Sequence, residues 1–215
     1  MKAIVIGATG ATGQDLVEKL LADEVFESVD IFVRRPVQKR HPKLTVHVID
    51  FGQPSSWISR IKGDVLFSCL GTTLKAAGSK AAQWKIDYDY QLDFAKVASS
   101  HGVVDYVLVS SVGASAQSKV FYNQMKGALD VQVQKLPFKR IFIFRPPSLI
   151  RKGSTRGIEK MTVALLKCLN AFGLMRRYCP LETEKLAAAM IGAVKSNLTG
   201  IHIIASTEIQ QFVGG

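Results

Sequence analysis

A tyrosine and a lysine stand four residues apart in the stretch FYNQMKG, which covers residues 121–127. On a helix this spacing places the side chains of Tyr122 and Lys126 on one face, one turn from each other. Reduction of a carbonyl compound by hydride transfer needs a proton donor. A phenol, with its pKa of about 10, donates poorly near neutral pH unless a nearby cation lowers that pKa, and Lys126 is placed to be this cation. The alternative is that Tyr122 covers the core and Lys126 is a solvated helix residue.

The elements that would position this pair follow a regular order along the chain. Runs that read as strands buried on both faces cover residues 3–6, 29–33, 44–49, 64–70, 105–110, 140–144 and 200–205. Helical patterns cover residues 12–21, 82–100, 122–135, 158–172 and 182–196. The alternation predicts an α/β fold with a doubly wound, mostly parallel β-sheet and helices on both faces. Ligands of such sheets bind beyond the carboxyl ends of the strands, so the residues after each strand are the candidates for chemistry.

A glycine-rich segment, GATGATG, follows the first predicted strand directly. Glycines at this place permit a tight turn and let the backbone N–H groups of a helix N-terminus approach a pyrophosphate. The spacing Gly-x-x-Gly-x-x-Gly departs from the G-x-G-x-x-G fingerprint, and a turn needed only for packing is the alternative. Its place after strand one favours nucleotide binding. The residues assigned to this phosphate site are Gly7, Thr9, Gly10, Ala11, Thr12 and Gly13.

The end of the second predicted strand reads VRRP, which places Arg34 and Arg35 where the ribose of a bound dinucleotide is recognised. An acidic residue there would indicate a cofactor without a 2′-phosphate, but Asp30 lies at the other end of the strand. Arginine can bracket a phosphate with two parallel hydrogen bonds. NADP(H) is therefore the predicted cofactor. The alternatives are a solvated basic loop and a nucleic-acid-binding patch.

The ends of the next three predicted strands supply further candidates. After strand three, Asp50 and Phe51 could contact the edge and face of the adenine, although Phe51 could equally be core packing. After strand four, Cys69, Leu70 and Gly71 would pass under the dinucleotide. Strand five ends with Ser110 and Ser111, and a serine hydroxyl there would orient the substrate oxygen. Lys126 could also hold the nicotinamide ribose. The serines could instead only cap the strand end.

Composition narrows the class of partner. The 215 residues include 28 Lys and Arg against 17 Asp and Glu, and this net charge of +11 favours anionic partners. No zinc finger or RNP-type motif accompanies the charge, so specific nucleic-acid binding is not predicted. Three cysteines without CxxC spacing and four histidines without a metal-binding pattern predict neither a disulfide framework nor a metal site. With no membrane-span pattern and no secretory signal ahead of the first strand, these features predict a soluble, cytoplasmic protein.

Together these motifs resemble the short-chain dehydrogenase/reductase superfamily. More narrowly, CLGTT at 69–73, IDYDY at 86–90, FYNQMKG and FRPPSLI at 144–150 are similar to the atypical branch that contains Tat-interacting-protein oxidoreductases and NmrA-like proteins. The resemblance implies a Rossmann fold, NADP(H) binding, and Ser111, Tyr122 and Lys126 as the catalytic set. It also implies that Asp87 lies near the active site and that a loop opened by Arg145, Pro146 and Pro147 faces the nicotinamide and the substrate.

The length predicts a single NAD(P)-binding domain over residues 1–215, with residues 151–215 forming a small substrate-pocket region. Basic residues there would attract an anionic substrate or form a solvated rim; they are Arg151, Lys152, Arg156, Arg176 and Arg177.

Two functional hypotheses remain open at this point. The first is an NADP(H)-dependent oxidoreductase that reduces a small carbonyl or quinone-type substrate. The alternative is an NADP(H)-sensing regulator that binds a protein partner without turnover, but the Tyr122 and Lys126 pair favours the enzyme. The sequence does not distinguish among substrates, nor a monomer from a homodimer.

Overall fold

The computed structural model describes residues 1–150 and 179–214. Within them a parallel sheet of seven strands has the order β3-β2-β1-β4-β5-β6-β9, and β7 and β8 form a separate two-stranded parallel sheet. The strands are β1 (Lys2–Ile6), β2 (Ser28–Val33), β3 (Leu44–Val48), β4 (Val65–Ser68), β5 (Asp105–Val109), β6 (Arg140–Arg145), β7 (Leu149–Ile150), β8 (Leu181–Glu182) and β9 (Gly200–Ala205). The strand order reverses direction between β1 and β4, and such a switch point is where doubly wound sheets bind ligands.

Helices cover both faces of this sheet. They are α1 (Ala11–Ala22), α2 (Leu74–Ala77), α3 (Lys80–Trp84), α4 (Tyr90–Ser100), α5 (Phe121–Val133) and α6 (Thr183–Lys195), with a π-helical turn at Lys85–Asp89 and 3₁₀ turns at Pro54–Ser56, Ile58–Arg60 and Ile209–Phe212. Successive strand residues point to opposite faces of the sheet. On one face, Val5 packs in a cluster with Leu16 of α1 and Met190 of α6. On the other face, Ile6 packs in a cluster with Phe94 of α4. The inner strands β1, β2, β4, β5 and β6 are mostly buried and apolar, whereas the edge strands β3 and β9 are more exposed.

The α/β, doubly wound, Rossmann-like fold is therefore confirmed, and each of the seven predicted strands is present. The helix predicted over 82–100 is interrupted by the π-helical turn, and α2, β7 and β8 were not predicted. The helix predicted at 158–172 and the five basic residues of the predicted substrate-pocket region lie outside the described residues. The single-domain organisation stays a prediction. No helix in the described part of the chain is long and apolar enough to cross a membrane.

Candidate active site

The loop between β1 and α1 approaches the end of β4 so closely that only glycine fits at Gly7. Its φ of 77° lies in the left-handed region, and a Cβ there would collide with the backbone of Cys69 and Leu70. The N–H of Gly10 donates to the carbonyl of Gly7 at 3.0 Å, which closes the turn that begins α1. The first N–H groups of α1 thus open toward the carboxyl edge of the sheet with the positive end of the helix dipole. This arrangement can hold a phosphate.

Two connected clefts run along this edge of the sheet. The larger has a volume of about 550 Å³ and the smaller about 150 Å³. They share the loop residue Gly10 and the segment after β4, residues 69–72. The smaller cleft extends toward β2 and the larger toward β5 and β6. Together they form an elongated channel across the switch point, which is the shape that a dinucleotide requires.

The smaller cleft has an apolar wall and a cationic rim. Phe51 and Ile86 line it, and Arg34 follows the end of β2 at its edge. No carboxylate is among the described residues that line it. Asp50 instead accepts a hydrogen bond from the N–H of Gly52 at 2.8 Å and so stabilises its own turn. The described lining of this cleft therefore carries positive charge without an opposing carboxylate, and a guanidinium can bind an anionic group.

The larger cleft brings Ser111, Tyr122 and Lys126 together. Tyr122 is 38% exposed and Lys126 only 3%, so one turn of α5 carries the pair from the cleft opening to its floor. The Lys126 ammonium donates to the Val109 carbonyl at 3.3 Å. The segment that contains Ser111 is tied to the residues that follow β6, because the N–H of Val112 donates to the carbonyl of Pro146 at 2.9 Å. The three side chains thus share one cavity, although Ser111 follows β5 and the other two belong to α5.

Two further titratable groups are close to this cleft: Cys69 lines it and Asp87 lies beneath it. Burial raises the pKa of the Cys69 thiol to about 12, although the nearby Lys126 ammonium opposes this shift. The thiol is therefore neutral at physiological pH and is a poor nucleophile. Asp87 is fully buried on the π-helical turn, where its carboxylate accepts a hydrogen bond from the N–H of Thr72.

Arg145 contacts a carboxylate behind the cleft instead of lining it. Its guanidinium bonds one oxygen of Asp130, with Nε to Oδ2 at 3.0 Å and a terminal nitrogen at 2.9 Å. Arg145 therefore ties β6 to α5, whereas the following Pro146 and Pro147 line the larger cleft. Asp130 is 1% exposed, and burial raises its pKa against the opposing effects of Ser110 and Arg145.

This raised pKa predicts a specific pH dependence of folding stability. The folded state binds the Asp130 proton more tightly than the unfolded state does. The stability that this group provides is therefore fully present below the pKa of Asp130 in the unfolded state, which is about 3.9. This stability falls as the pH rises through the pKa of Asp130 in the folded state. Asp130→Asn removes this titration. We therefore expect the substitution to cost less free energy of unfolding at about pH 7 than at about pH 4, as measured by denaturant titration at both pH values.

Asp93→Asn is the matched control, because Asp93 is exposed and pairs with Lys96 at 3.4 Å. Such surface pairs contribute roughly 0–1 kcal/mol, so this substitution should change stability little at either pH. A cost of Asp130→Asn that increases from pH 4 to pH 7 would contradict the assignment.

Most of the predicted site residues lie together in the channel. Those that line one or both clefts are Gly7, Thr9, Gly10, Ala11, Thr12, Arg34, Phe51, Cys69, Leu70, Gly71, Ser111, Tyr122, Lys126 and Pro146. Four predicted residues do not line it, namely Gly13, Arg35, Asp50 and Arg145. Gly13 lies beneath Gly7 and lets α1 pack on the loop, and Arg35 is exposed beside Arg34.

Sequence reasoning did not assign several residues that line the larger cleft. They are Thr72, Thr73, Val112, Ser148 and Leu149. Their signal was available, since each follows a predicted strand directly or within a few residues. No cluster of His, Cys, Asp and Glu in residues 1–150 and 179–214 could hold a metal ion.

The sheet order, the glycine loop and the channel across the switch point define a Rossmann-type dinucleotide-binding protein. A family model described as NAD(P)H-binding matches residues 7–135. The chain belongs to this NAD(P)H-binding, atypical short-chain dehydrogenase/reductase family. The resemblance found in the motifs is thereby confirmed.

Curated relatives place the chain more narrowly within this family. It is 30% identical to the mitochondrial protein FMP52 of Eremothecium gossypii over 220 residues. This alignment covers 99% of the chain and 97% of the relative. It is 32% identical to the mitochondrial protein FMP52-1 of Scheffersomyces stipitis, with coverage of 92% and 89%. The protein HTATIP2 of Rattus norvegicus is 33% identical over 150 residues, which are 68% of the chain and 62% of that protein.

Solved structures agree on the fold. MoeE5 in complex with UDP-glucuronic acid and NAD superposes with a TM-score of 0.73 at 14% identity and covers 95% of the chain and 75% of MoeE5. A short-chain dehydrogenase/reductase superfamily protein from Agrobacterium tumefaciens with bound NAD gives 0.71 at 12% identity, with coverage of 95% and 77%. At such low identity these structures support the fold alone.

The predicted cytoplasmic location is wrong. The FMP52 relatives of this chain are named as mitochondrial proteins. The prediction rested on the cysteine pattern and on the absence of a secretory signal pattern. Neither observation separates the cytoplasm from the mitochondrion, since both only argue against secretion.

Proposed function

We propose that this protein is an NADP(H)-dependent oxidoreductase that reduces a small carbonyl or quinone-type substrate by hydride transfer. One observation carries the proposal. A single channel joins the helix N-terminus after β1 to a cavity lined by Ser111, Tyr122 and Lys126. The glycine loop suits the cofactor, because Gly7 lets the loop lie against the end of β4 and the loop leads the N-terminus of α1 into the channel.

When bound, NADPH supplies the hydride. The Tyr122 hydroxyl then donates its proton to the substrate oxygen, which becomes the alcohol oxygen, and a tyrosinate remains. The Lys126 ammonium on the same face of α5 stabilises this negative charge. The Ser111 hydroxyl donates a hydrogen bond to the substrate oxygen and orients it. Because Lys126 is held at the floor of the cleft by the Val109 carbonyl, the cation is in place before the reaction.

The choice of NADPH over NADH rests on Arg34 at the rim of the smaller cleft. Calorimetric titration should give NADPH an affinity at least about tenfold higher than NADH, a gap of about 1.4 kcal/mol. Arg34→Ala should weaken NADPH binding by about tenfold to a hundredfold, because a hydrogen bond to a charged group contributes roughly 1.5–3 kcal/mol. The affinity for NADH should change little.

Arg60→Ala is the control for the change in net charge. Arg60 is exposed on a 3₁₀ turn and does not line either cleft. If Arg60→Ala and Arg34→Ala weaken NADPH binding equally, the effect is one of overall charge and Arg34 does not recognise the phosphate.

Turnover is tested with a panel of short aldehydes, ketones and quinones, with NADPH oxidation as the readout. Reduction of at least one class supports the proposal. Tight NADPH binding without reduction of any class would favour the second hypothesis, a cofactor-sensing protein, and pull-down with and without NADPH would then detect a partner.

A further inference from the structure

The loop between β5 and α5, residues 110–120, lies directly on the helix of the proposed catalytic pair. It meets this helix at Gly127, the residue that follows Lys126. Gly127 is buried, and a Cβ there would collide with the backbone of Ser115 and Ala116. These atoms belong to the main chain and cannot rotate away as the end of a flexible side chain could. The contact therefore requires a residue without a side chain.

Helix propensity does not account for this glycine. Gly127 lies in the interior of α5, which runs from Phe121 to Val133. Alanine is the strongest helix former and glycine one of the weakest, so an alanine would suit the helix better. The φ of Gly127 does not lie in the left-handed region either. The close approach of the loop is thus the physical reason for a glycine at this position.

Backbone hydrogen bonds connect this contact to Ser111. The N–H of Ser115 donates to the carbonyl of Asn123, in the first turn of α5, at 3.0 Å. The N–H of Ala114 donates to the carbonyl of Ser111 at 3.1 Å, which closes a tight turn. The residue after Ser111 is bound to the segment that follows β6. Ser111 is therefore held from two sides, and one of them is the surface of α5.

The loop has more freedom to move than the helix. On the inner side of α5, Met125, Leu129 and Val133 are fully buried and pack against the sheet. The loop contains no helix or strand, and several of its residues are exposed. A side chain at position 127 would therefore displace the loop and leave the helix in place. Because Ser111 belongs to this loop, its hydroxyl would move away from the pair on α5.

We propose that Gly127 is a positioning residue, which sets the distance between the Ser111 hydroxyl and the Tyr122 hydroxyl. This inference rests on the proposed reductase function. Gly127 does not line either cleft, so it acts only through the loop that it holds. In the proposed reaction both hydroxyls reach the same substrate oxygen. A misplacement of about 1 Å can lower such a rate by roughly a hundredfold.

Gly127→Ala is the decisive variant. We expect kcat to fall by at least about tenfold, while the affinity for NADPH stays within about threefold. Gly192→Ala is the matched control. Gly192 lies in the interior of α6, where a Cβ would collide with the carbonyl oxygen of Phe212, but it does not line either cleft. It carries the same overpacking of a helical glycine and should leave kcat unchanged.

A double-mutant cycle separates positioning of Ser111 from a general disturbance of the site. Ser111→Ala removes the hydroxyl that the loop positions, so adding Gly127→Ala in that background should lower kcat by less than about twofold. Two independent effects would instead multiply, and the double variant would lose at least about tenfold more than Ser111→Ala alone. Such multiplication would overturn the proposal, because Gly127 would then act on something other than Ser111.

A second readout does not depend on turnover. Hydrogen exchange of the backbone amides, followed by NMR, reports whether the loop stays bound to the helix. In Gly127→Ala the amides of Ala114 and Ser115 should exchange at least about tenfold faster, because both are hydrogen-bonded in this arrangement. In Gly192→Ala they should exchange as in the original protein. Unchanged exchange in a folded Gly127→Ala protein would overturn the positioning role even if kcat falls.

The outcomes separate this inference from the proposed function. Unchanged kcat in Gly127→Ala overturns the positioning role and leaves the reductase assignment intact. If the protein reduces no carbonyl compound, the proposed function fails, but amide exchange still decides: faster exchange supports a loop that Gly127 holds on α5, and unchanged exchange overturns it.

If Gly127→Ala does not fold, the unmodified protein provides the test. The acceptor of the Ser115 N–H is the Asn123 carbonyl on α5, so this amide reports the contact directly. It should exchange at least about a hundredfold more slowly than an amide in an unfolded chain. Exchange at the rate of an unfolded chain would overturn the proposal, because the loop would then not be held on the helix.

Discussion

Replacement of Tyr122 with phenylalanine should lower kcat by about a hundredfold to ten-thousandfold, which is the contribution of a positioned general acid. The ring that remains keeps the apolar contacts of Tyr122, but no hydroxyl is left to donate a proton to the substrate oxygen. NADPH affinity should stay nearly unchanged, because the cofactor would rely on the glycine loop and Arg34. Steady-state kinetics and calorimetry on the same preparation measure both quantities.

Tyr88→Phe is the matched control for the loss of a tyrosine hydroxyl. Tyr88 packs against Trp84, with ring centroids 5.0 Å apart, and does not line either cleft. It should retain the turnover of the original protein. If Tyr122→Phe also retains turnover, Tyr122 is not the proton donor, and the spacing of Tyr122 and Lys126 reflects only the surface of α5.

The fold was predictable because parallel sheets have a strong signature in sequence. Strands covered on both faces are apolar throughout, and the longer segments between them show helical periodicity, so the seven strands of the sheet could be assigned from the sequence. The short helices α2 and α3 were less evident. Their N-cap residues, Thr73 and Ser79, each accept a hydrogen bond from a backbone N–H three residues on, and this capping signal was present in the sequence.

The candidate site was predictable where local spacing determines geometry. Residues four apart on a helix share a face whatever the rest of the fold, so the proximity of Tyr122 and Lys126 could be inferred. Residues that follow parallel strands meet at one edge, which accounts for the glycine loop and the segment after β4.

The remaining contacts depend on side-chain directions between distant elements. The contact of Asp87 with Thr72 spans 15 residues, and it exists because the π-helical turn redirects one side chain. Arg145 was expected at the nicotinamide, but it points to Asp130, a buried carboxylate one turn beyond Lys126 on α5. Spacing alone could identify neither Thr72 as the partner of Asp87 nor Asp130 as the partner of Arg145. Several polar groups compete for each of these contacts.

Gly7→Ala should cause the largest loss of folding stability among single substitutions in the loop. A φ of 77° costs a residue with a Cβ roughly 1–2 kcal/mol, and a collision in a packed site adds roughly 1–3 kcal/mol. The added methyl group would meet the backbone of Cys69 and Leu70, which cannot move without separating the loop from β4. We therefore expect a loss of about 2–5 kcal/mol in the free energy of unfolding, measured by denaturant titration.

Gly102→Ala separates the two causes of this loss. Gly102 has a similar φ of 81°, but a Cβ there would have no atom within 4 Å, so only the backbone cost of roughly 1–2 kcal/mol applies. Gly7→Ala should also weaken NADPH binding by more than about tenfold, since the N–H groups of the loop would be displaced, whereas Gly102→Ala should bind NADPH normally. Equal losses of stability in the two variants would show that the close approach of the loop to β4 is not needed. NADPH binding would then have to depend on the helix N-terminus and Arg34 alone.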